Sequence, residues 1–199
     1  MNPKTVAMIY PSKSFRKALV LIFFMFSGIF LEAQQLIGVS SVEDEKYNEW
    51  TLMADIEAND GTLSRKWPLM KDNIDWSFRF GEWVGDFKPL NGLDPNEWKL
   101  TSNEGKMMTL RTQWKGDFSE WSITDNDRKI IFKAVNKKSL DHWVMSENKS
   151  KDKPCIELIT LVEDDPRDWE IQDNACELDK NFKISMIFIS VFFASQIAR

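Results

Sequence analysis

Histidine is almost missing from this sequence: among 199 residues, only His142 carries an imidazole. His-based zinc sites and Ser-His-Asp triads need a positioned imidazole, whereas His142 stands in an expected turn directly before Trp143. The sequence also lacks a glycine-rich phosphate loop, a G-x-S-x-G elbow and a C-x-x-C pair. The sequence therefore predicts a protein without catalytic, cofactor-binding or metal-binding residues and with no bound cofactor.

One enzyme class stays open, because a pair of carboxylates is enough to hydrolyse glycans and acidic residues are plentiful in the expected turns. Glu97, Glu120 and Asp168 each stand directly before a tryptophan. Three equivalent carboxylates indicate an architectural repeat rather than one unique acid/base pair. We therefore expect a non-enzyme, with a small glycan-active enzyme as the alternative.

Basic residues are in deficit, since 26 Lys and Arg face 31 Asp and Glu and give a formal net charge of −5. A negative surface repels phosphate backbones, so nucleic acid is not an expected partner. It also disfavours any attachment to anionic lipid that relies on charge.

Cysteine is scarce as well, with only Cys155 and Cys176 in the chain. In an oxidising compartment an isolated pair favours a disulfide over a metal site. Such a bridge would close a loop of about 20 residues and add about 3 kcal/mol in the chain-entropy model. Two free buried thiols are the alternative.

The N-terminus has the layout of a secretory signal peptide. Lys4, Lys13, Arg16 and Lys17 precede an apolar run from Ala18 to Leu31, and a small residue follows at Ala33. The run is shorter than the roughly 20 residues of a membrane-spanning helix, so cleavage is favoured over a retained anchor. Removing residues 1–33 changes the net charge from −5 to −8, because four basic residues and one acidic residue leave with them.

The rest of the chain repeats one unit, whose tryptophans recur at intervals of 22 to 26 residues. An apolar residue stands two positions after each of them, as strands with one buried face require. Turn sequences precede them, most clearly in Asp94-Pro95-Asn96-Glu97-Trp98 and Asp165-Pro166-Arg167-Asp168-Trp169. The six are Trp50, Trp76, Trp98, Trp121, Trp143 and Trp169, called the key tryptophans below.

A second strand is predicted between successive key tryptophans, as in 107–114, 130–135 and 155–162. Met108, Leu110 and Trp114 are expected on one face of the first of these, opposite Arg111. Two strands per unit give roughly 10–12 strands in all. The predicted fold is all-β: an antiparallel up-and-down meander, either a rolled sheet or barrel-like, spanning residues 34–183.

The most apolar segment after residue 33 is the C-terminal run 184–199. We expect a helix packed on the β domain, because an uncovered tryptophan-lined sheet would aggregate. A helix of about 15 residues spans only around 22 Å, short of a bilayer core of about 30 Å. A removable tail for a lipid anchor and a final strand of the sheet are the alternatives.

The end of the chain resembles a family of exported bacterial proteins of unknown function. The resemblance rests on 165–173, with Asp165-Pro166-Arg167-Asp168-Trp169, on the apolar run to Ala198 and on the repeated W-x-apolar strands upstream. It implies a bacterial envelope or exterior and a tail retained in the fold. It implies no activity and no site residues.

These observations predict an exported, non-catalytic β-repeat module with a structural or binding role at the envelope or exterior, in contact with a glycan or another envelope protein. Trp67, Trp83 and Trp114 are not among the six key tryptophans. Exposed indoles could stack on sugars, which makes a carbohydrate-binding module the first alternative, although burial is the default for such rings. A carrier of an apolar small molecule inside the barrel is the second. Membrane attachment is not expected unless the C-terminal run is an anchor.

Overall fold

The computed structural model describes residues 35–43, 47–56, 60–70, 73–139, 141–145, 154–174 and 178–197, with side chains to residue 193. They form twelve strands and one helix, α1, at Lys180–Ile197. The strands are β1 Leu36–Ser41, β2 Glu49–Ala54, β3 Gly61–Arg65, β4 Trp76–Phe80, β5 Trp83–Pro89, β6 Glu97–Ser102, β7 Met107–Trp114, β8 Asp117–Thr124, β9 Lys129–Ala134, β10 His142–Met145, β11 Ile156–Val162 and β12 Asp165–Asp173.

The sheet is a closed antiparallel barrel in which each strand pairs with its neighbours in sequence. Pairing of β1 with β12, in register at Val39 and Trp169, joins the two ends of the meander. The predicted all-β meander is therefore confirmed, and of its two forms the structure has the closed one. The predicted strand 107–114 coincides with β7.

Alternate side chains of each strand point into the barrel, and all six key tryptophans are among them, exposed by 2% or less. Each lies on an even-numbered strand and pairs with one of the last three residues of the preceding odd-numbered strand, so all six lie in the same half of the barrel. The six key tryptophans thus form a ring on the inner wall. Because each indole buries roughly 150–250 Å², this ring supplies a large part of the core.

The barrel has two ends with different contents. At the end called here the tryptophan end, the odd-numbered strands finish and the even-numbered strands begin. The opposite end is called the entry end, because β12 finishes there and the chain turns back into the barrel as α1. Ion pairs from Lys180 to Glu104 (2.5 Å) and from Lys106 to Asp179 (3.8 Å) place the start of α1 at the entry end.

Helix α1 lies inside the barrel, with its described side chains from Ile184 to Phe193 buried on every face. Phe188 stacks on Phe87 with ring centroids 4.1 Å apart. Further along, Phe192 reaches Trp98 at 5.1 Å and Phe193 reaches Trp121 at 5.0 Å. The helix therefore runs from the entry end into the ring of tryptophans. The segment that was expected to cover the sheet fills the interior of the barrel instead.

The helix begins at Lys180, four residues before the expected boundary at 184. The Asp179 side chain caps it by accepting a hydrogen bond from the Asn181 backbone N–H at 2.8 Å. Lys180 and Lys183 stay at the entry end as ion-pair partners, so the first turn is helical without being apolar. Within the described residues, no helix is long and apolar enough to cross a membrane.

Two expectations concern residues outside the described ones. The predicted signal peptide, residues 1–33, lies outside the described residues. Gln34–Arg199 form a compact unit of their own. Cys155 is buried directly before β11, but its expected partner Cys176 is not described. The signal peptide and the disulfide therefore stay predictions.

Candidate functional site at the tryptophan end

Large apolar side chains that remain exposed are concentrated at the tryptophan end. Of thirteen among the described residues, ten lie there, each on a connection at this end or within the last two residues of the strand that leads into it, and all six connections are represented. The other three, Ile37, Ile56 and Met107, lie towards the entry end. The ten are Val42, Trp67, Leu69, Met70, Leu90, Leu93, Trp114, Val135, Leu161 and Val162, called the apolar ring below.

Three of the six turns at this end repeat one local structure. In the β5–β6 connection the Asp94 carboxylate accepts a hydrogen bond from the Asn96 backbone N–H at 3.0 Å. The Trp98 indole N–H then donates to the Pro95 carbonyl at 2.9 Å. The turn thus satisfies its own polar groups locally and directs the indole into the barrel.

The same pair of hydrogen bonds recurs in two further connections. Trp121 donates to the Phe118 carbonyl at 2.8 Å, and Trp169 donates to the Pro166 carbonyl at 2.9 Å. The acids that open these turns are Asp117 and Asp165. A D-x-x-x-W spacing therefore fixes both the turn and the inward indole.

Each of the three turn acids has a lowered pKa. Hydrogen bonds lower it in every case, chiefly from the side chains of Asn96 to Asp94, of Ser119 to Asp117 and of Arg167 to Asp165. All three carboxylates are therefore ionised at neutral pH and act as acceptors within their own turns. Asp94, Asp117 and Asp165 therefore stabilise their turns; they are not the three acids that stand directly before a tryptophan.

Trp114 is 71% exposed, which corrects the expectation that it shares the inner face with Met108 and Leu110. Pairing of β7 with β8 shifts register between Thr112 and Trp114. A two-residue turn follows, in which Gly116 takes a positive φ of 85° that glycine adopts without strain. The shift releases the indole from the inner face at the last residue of the strand.

Trp67 is 50% exposed and belongs to the connection after β3. The Arg65 guanidinium donates to the carbonyls of Met70 at 2.9 Å and Asn73 at 2.8 Å. The Met70 backbone N–H donates to the Trp67 carbonyl at 3.0 Å. The connection that carries Trp67, Met70 and the 96% exposed Leu69 is therefore internally bonded.

Leu90 and Leu93 lie between these two indoles, on the β5–β6 connection. Successive connections at one end are two strands apart, or about 10 Å along the wall. Trp67 and Trp114 are four strands apart, or about 19 Å. The structure thus brings these two expected aromatics to one end, with leucines between them.

Trp83 does not belong with them, and its expected role as an exposed binding aromatic is corrected. It is only 5% exposed, at the entry end, with its ring 4.6 Å from that of Phe78. A Cβ on Gly85 would lie 2.5 Å from the Phe78 ring, so this glycine makes room for the pair. The Lys180 ammonium lies 5.0 Å above the indole, so the face is already in use.

Two of the four basic side chains in the described connections at the tryptophan end form ion pairs within the protein. Lys66 lies 2.7 Å from Asp86, and Lys137 lies 3.2 Å from Asp117. The described connections at the tryptophan end hold four basic and six acidic residues, against two and seven at the entry end. The tryptophan end is therefore the more apolar and the less acidic of the two.

A concave feature lies on the outer wall of the barrel, across β3 to β6. It is a groove of about 490 Å³ whose outward lining includes Thr62, Ser77, Arg79, Asp86 and Thr101. Neither Trp67 nor Trp114 lines it. It therefore lacks the indole platform that the carbohydrate alternative needs.

Two of the three acids that stand directly before a tryptophan, Glu97 and Asp168, have partners in the structure, and so does the histidine. Glu97 forms an ion pair with Arg111, and the His142 ring lies 3.1 Å from a Glu157 oxygen. Asp168 accepts a hydrogen bond from the Ser40 hydroxyl at 2.5 Å. Among the residues described, no three or more His, Cys, Asp or Glu cluster in a way that could hold a metal ion.

Comparison with known proteins adds no relative to this geometry: no protein-family model, curated protein or solved structure matches the chain. The functional reading therefore rests on the apolar ring. Sequence reasoning missed Leu69, Met70, Leu90 and Leu93 as members of it. The available signal was the meander, because in a meander every second turn lies at the same end.

Proposed function

We propose that this protein is an exported, non-catalytic binding module that attaches to the cell envelope through the tryptophan end. The observation that supports this most is the one-sided distribution of exposed large apolar side chains, ten of thirteen. Side chains of this size each expose on the order of 100 Å², so the ring presents on the order of 1,000 Å². Large apolar side chains that are exposed together at one end of a protein, rather than scattered singly over its surface, mark an interaction site.

A matched pair of double variants tests the proposal. The tryptophan-end variant, Leu69→Ser with Trp114→Ser, removes two exposed apolar side chains from the ring. The entry-end variant, Ile56→Ser with Met107→Ser, removes two from the other end, where both are about half exposed, at 54% and 51%. The design changes the same kind of surface at both ends.

Sedimentation with bacterial envelope fragments is the measurement. We expect the unmodified chain and the entry-end variant to sediment with the fragments, while the tryptophan-end variant stays in the supernatant. Failure of the unmodified chain to sediment, or equal binding by both variants, contradicts the proposal.

Carbohydrate binding is the second candidate, favoured by the exposure of Trp67 and Trp114 at one end. Their separation of about 19 Å suits an extended glycan rather than a single sugar. We expect a glycan array to show binding that falls in both Trp67→Ala and Trp114→Ala. Intact binding in both variants removes these indoles from the site.

The carrier alternative receives less support. A carried apolar molecule would need the space now filled by α1, where Phe188, Ile187 and Ile189 are each exposed by 1% or less. Displacing this buried helix would expose its apolar side chains to water. Purified protein with no bound lipid and no response to apolar fluorescent probes would retire this alternative.

A further inference from the structure

We propose that the tryptophan end docks on the interfacial region of a lipid bilayer, held by apolar insertion rather than by charge. The inference rests on the proposed function and names the occupant of its surface. It starts from two features of the apolar ring: the kind of side chain that forms it and the way the ring is divided among connections.

The side chains suit a bilayer interface. Trp67 and Trp114 combine a large apolar body with one polar N–H, the combination that enriches tryptophan where headgroups meet acyl chains. Leu69 and Met70 stand beside Trp67 on the same connection and supply purely apolar surface. Trp at the interface with Leu or Met inserted beside it is the composition of interfacial anchors.

The arrangement favours lipid over a folded partner. Protein interfaces gather their apolar area in a central core surrounded by a polar rim. Here the apolar side chains are spread over six connections around the barrel, each about 10 Å from the next. A fluid bilayer takes up separate protrusions without a matching surface, whereas a protein partner would need a complementary pocket for each.

Charge decides between lipid types and against a second copy. Lys66 and Lys137 are paired with Asp86 and Asp117, and six acidic residues outnumber four basic ones in the described connections at this end, so anionic headgroups are not attracted overall. Two copies meeting end to end would bring acidic turns such as Glu163–Asp164 against their own counterparts. The expected surface is therefore zwitterionic, and the interaction insensitive to salt.

The experiment uses residues 34–199, which form their own compact unit and lack the apolar run 18–31 that would bind lipid by itself. Vesicles of phosphatidylcholine, with and without added phosphatidylglycerol, are mixed with the unmodified chain and the two double variants. Co-flotation gives the partition constant, and quenching by brominated phosphatidylcholine reports indoles within the interface. Each sample is measured at low and at high salt.

We expect binding to phosphatidylcholine that salt does not remove, with quenching of indole emission. The tryptophan-end variant should bind at least about tenfold more weakly, since each lost side chain contributes apolar burial. The entry-end variant should bind as the unmodified chain does. Far-UV circular dichroism must show all three folded, and Leu69→Ser alone replaces the double variant if that one unfolds.

Other results overturn the inference. No binding to either vesicle, or equal loss in both variants, excludes docking on lipid through this end. Binding that needs phosphatidylglycerol and disappears at high salt means that charge drives it. Concentration-dependent dimers that only the tryptophan-end variant abolishes, without vesicle binding, assign the ring to a second copy. Sedimentation with envelope fragments but not with vesicles would leave the proposed function in place and remove lipid as the occupant.

Discussion

The two ends of the barrel hold the same helix by different means. At the tryptophan end, Phe192 and Phe193 pack against the rings of Trp98 and Trp121. At the entry end, Lys180 and Lys183 form ion pairs with Glu104 and Asp173. The outer surfaces of the two ends differ in the same way. The tryptophan end carries the apolar ring, and the entry end carries mainly acidic connections.

The comparison separates the residues that stabilise the fold from the residues that remain available for binding. The indoles of Trp98, Trp121 and Trp169 donate hydrogen bonds to carbonyls of their own turns. All six inward key indoles are buried, so they explain stability. The apolar ring lies on the same turns but contributes little to the core, because its side chains face solvent. A surface of this kind is costly in a free monomer, which is why we assign it a function.

The largest effect is expected from the aromatic packing along α1. Phe188 contacts the rings of Phe87 at 4.1 Å, Trp98 at 4.9 Å and Trp76 at 6.0 Å. Phe188→Ala should lower the free energy of unfolding by about 3–5 kcal/mol, because it opens a cavity between helix and wall. Chemical denaturation measures the loss.

Leu161→Ala is the control for that substitution, since its side chain is exposed and should change stability by no more than about 0.5 kcal/mol. A loss below about 1 kcal/mol in Phe188→Ala would mean that the helix is not packed inside the barrel.

A smaller effect is expected from the ion pairs, and here the two ends should differ. Lys183 pairs with Asp173, whose side chain is almost buried, whereas Lys137 pairs with Asp117 on the surface. Lys183→Met should cost about 1–3 kcal/mol, because it leaves a buried carboxylate without its cation. Lys137→Met should cost no more than about 0.5 kcal/mol. Equal losses of unfolding free energy in the two variants would contradict the expected difference between the ends.

The smallest effect concerns pH and belongs to the tryptophan end. Asp94, Asp117 and Asp165 have pKa values lowered from 3.8 by hydrogen bonds within their turns. Their contribution to stability is therefore complete above pH 3.8 and is lost as pH falls through the lower folded pKa values. Melting temperatures of the unmodified chain and Asp165→Asn should differ at neutral pH and converge below pH 3.8. A gap that widens on acidification would have the wrong sign.

Much of this architecture follows from local pattern. The period-2 alternation around Trp98 and Trp121 predicts inward indoles, and the structure buries both completely. The helix start is the exception, since apolarity alone points to 184 while the capping Asp179 begins the helix at Lys180. A cap signal outranks an apolar boundary at a helix N-terminus.

The candidate site was less predictable, because exposure depends on register. Trp114 is in phase with Leu110, and only the shift before the β7–β8 turn moves it outward. The sequence suggests that Trp83 is an exposed binding aromatic, but it begins β5 on the inner face and packs against Phe78. Neither outcome is encoded in composition or spacing, since both depend on how two paired strands align.

The central claim is that the tryptophan end, and not the entry end or the wall, is the working surface. Carbene footprinting of residues 34–199, with and without bacterial envelope fragments and read by mass spectrometry, tests this directly. The account predicts that labelling falls at Trp67, Leu69 and Trp114 when fragments are present and is unchanged at Ile56 and Met107. Protection at Ile56 and Met107 instead, or no protection at either end, would contradict it.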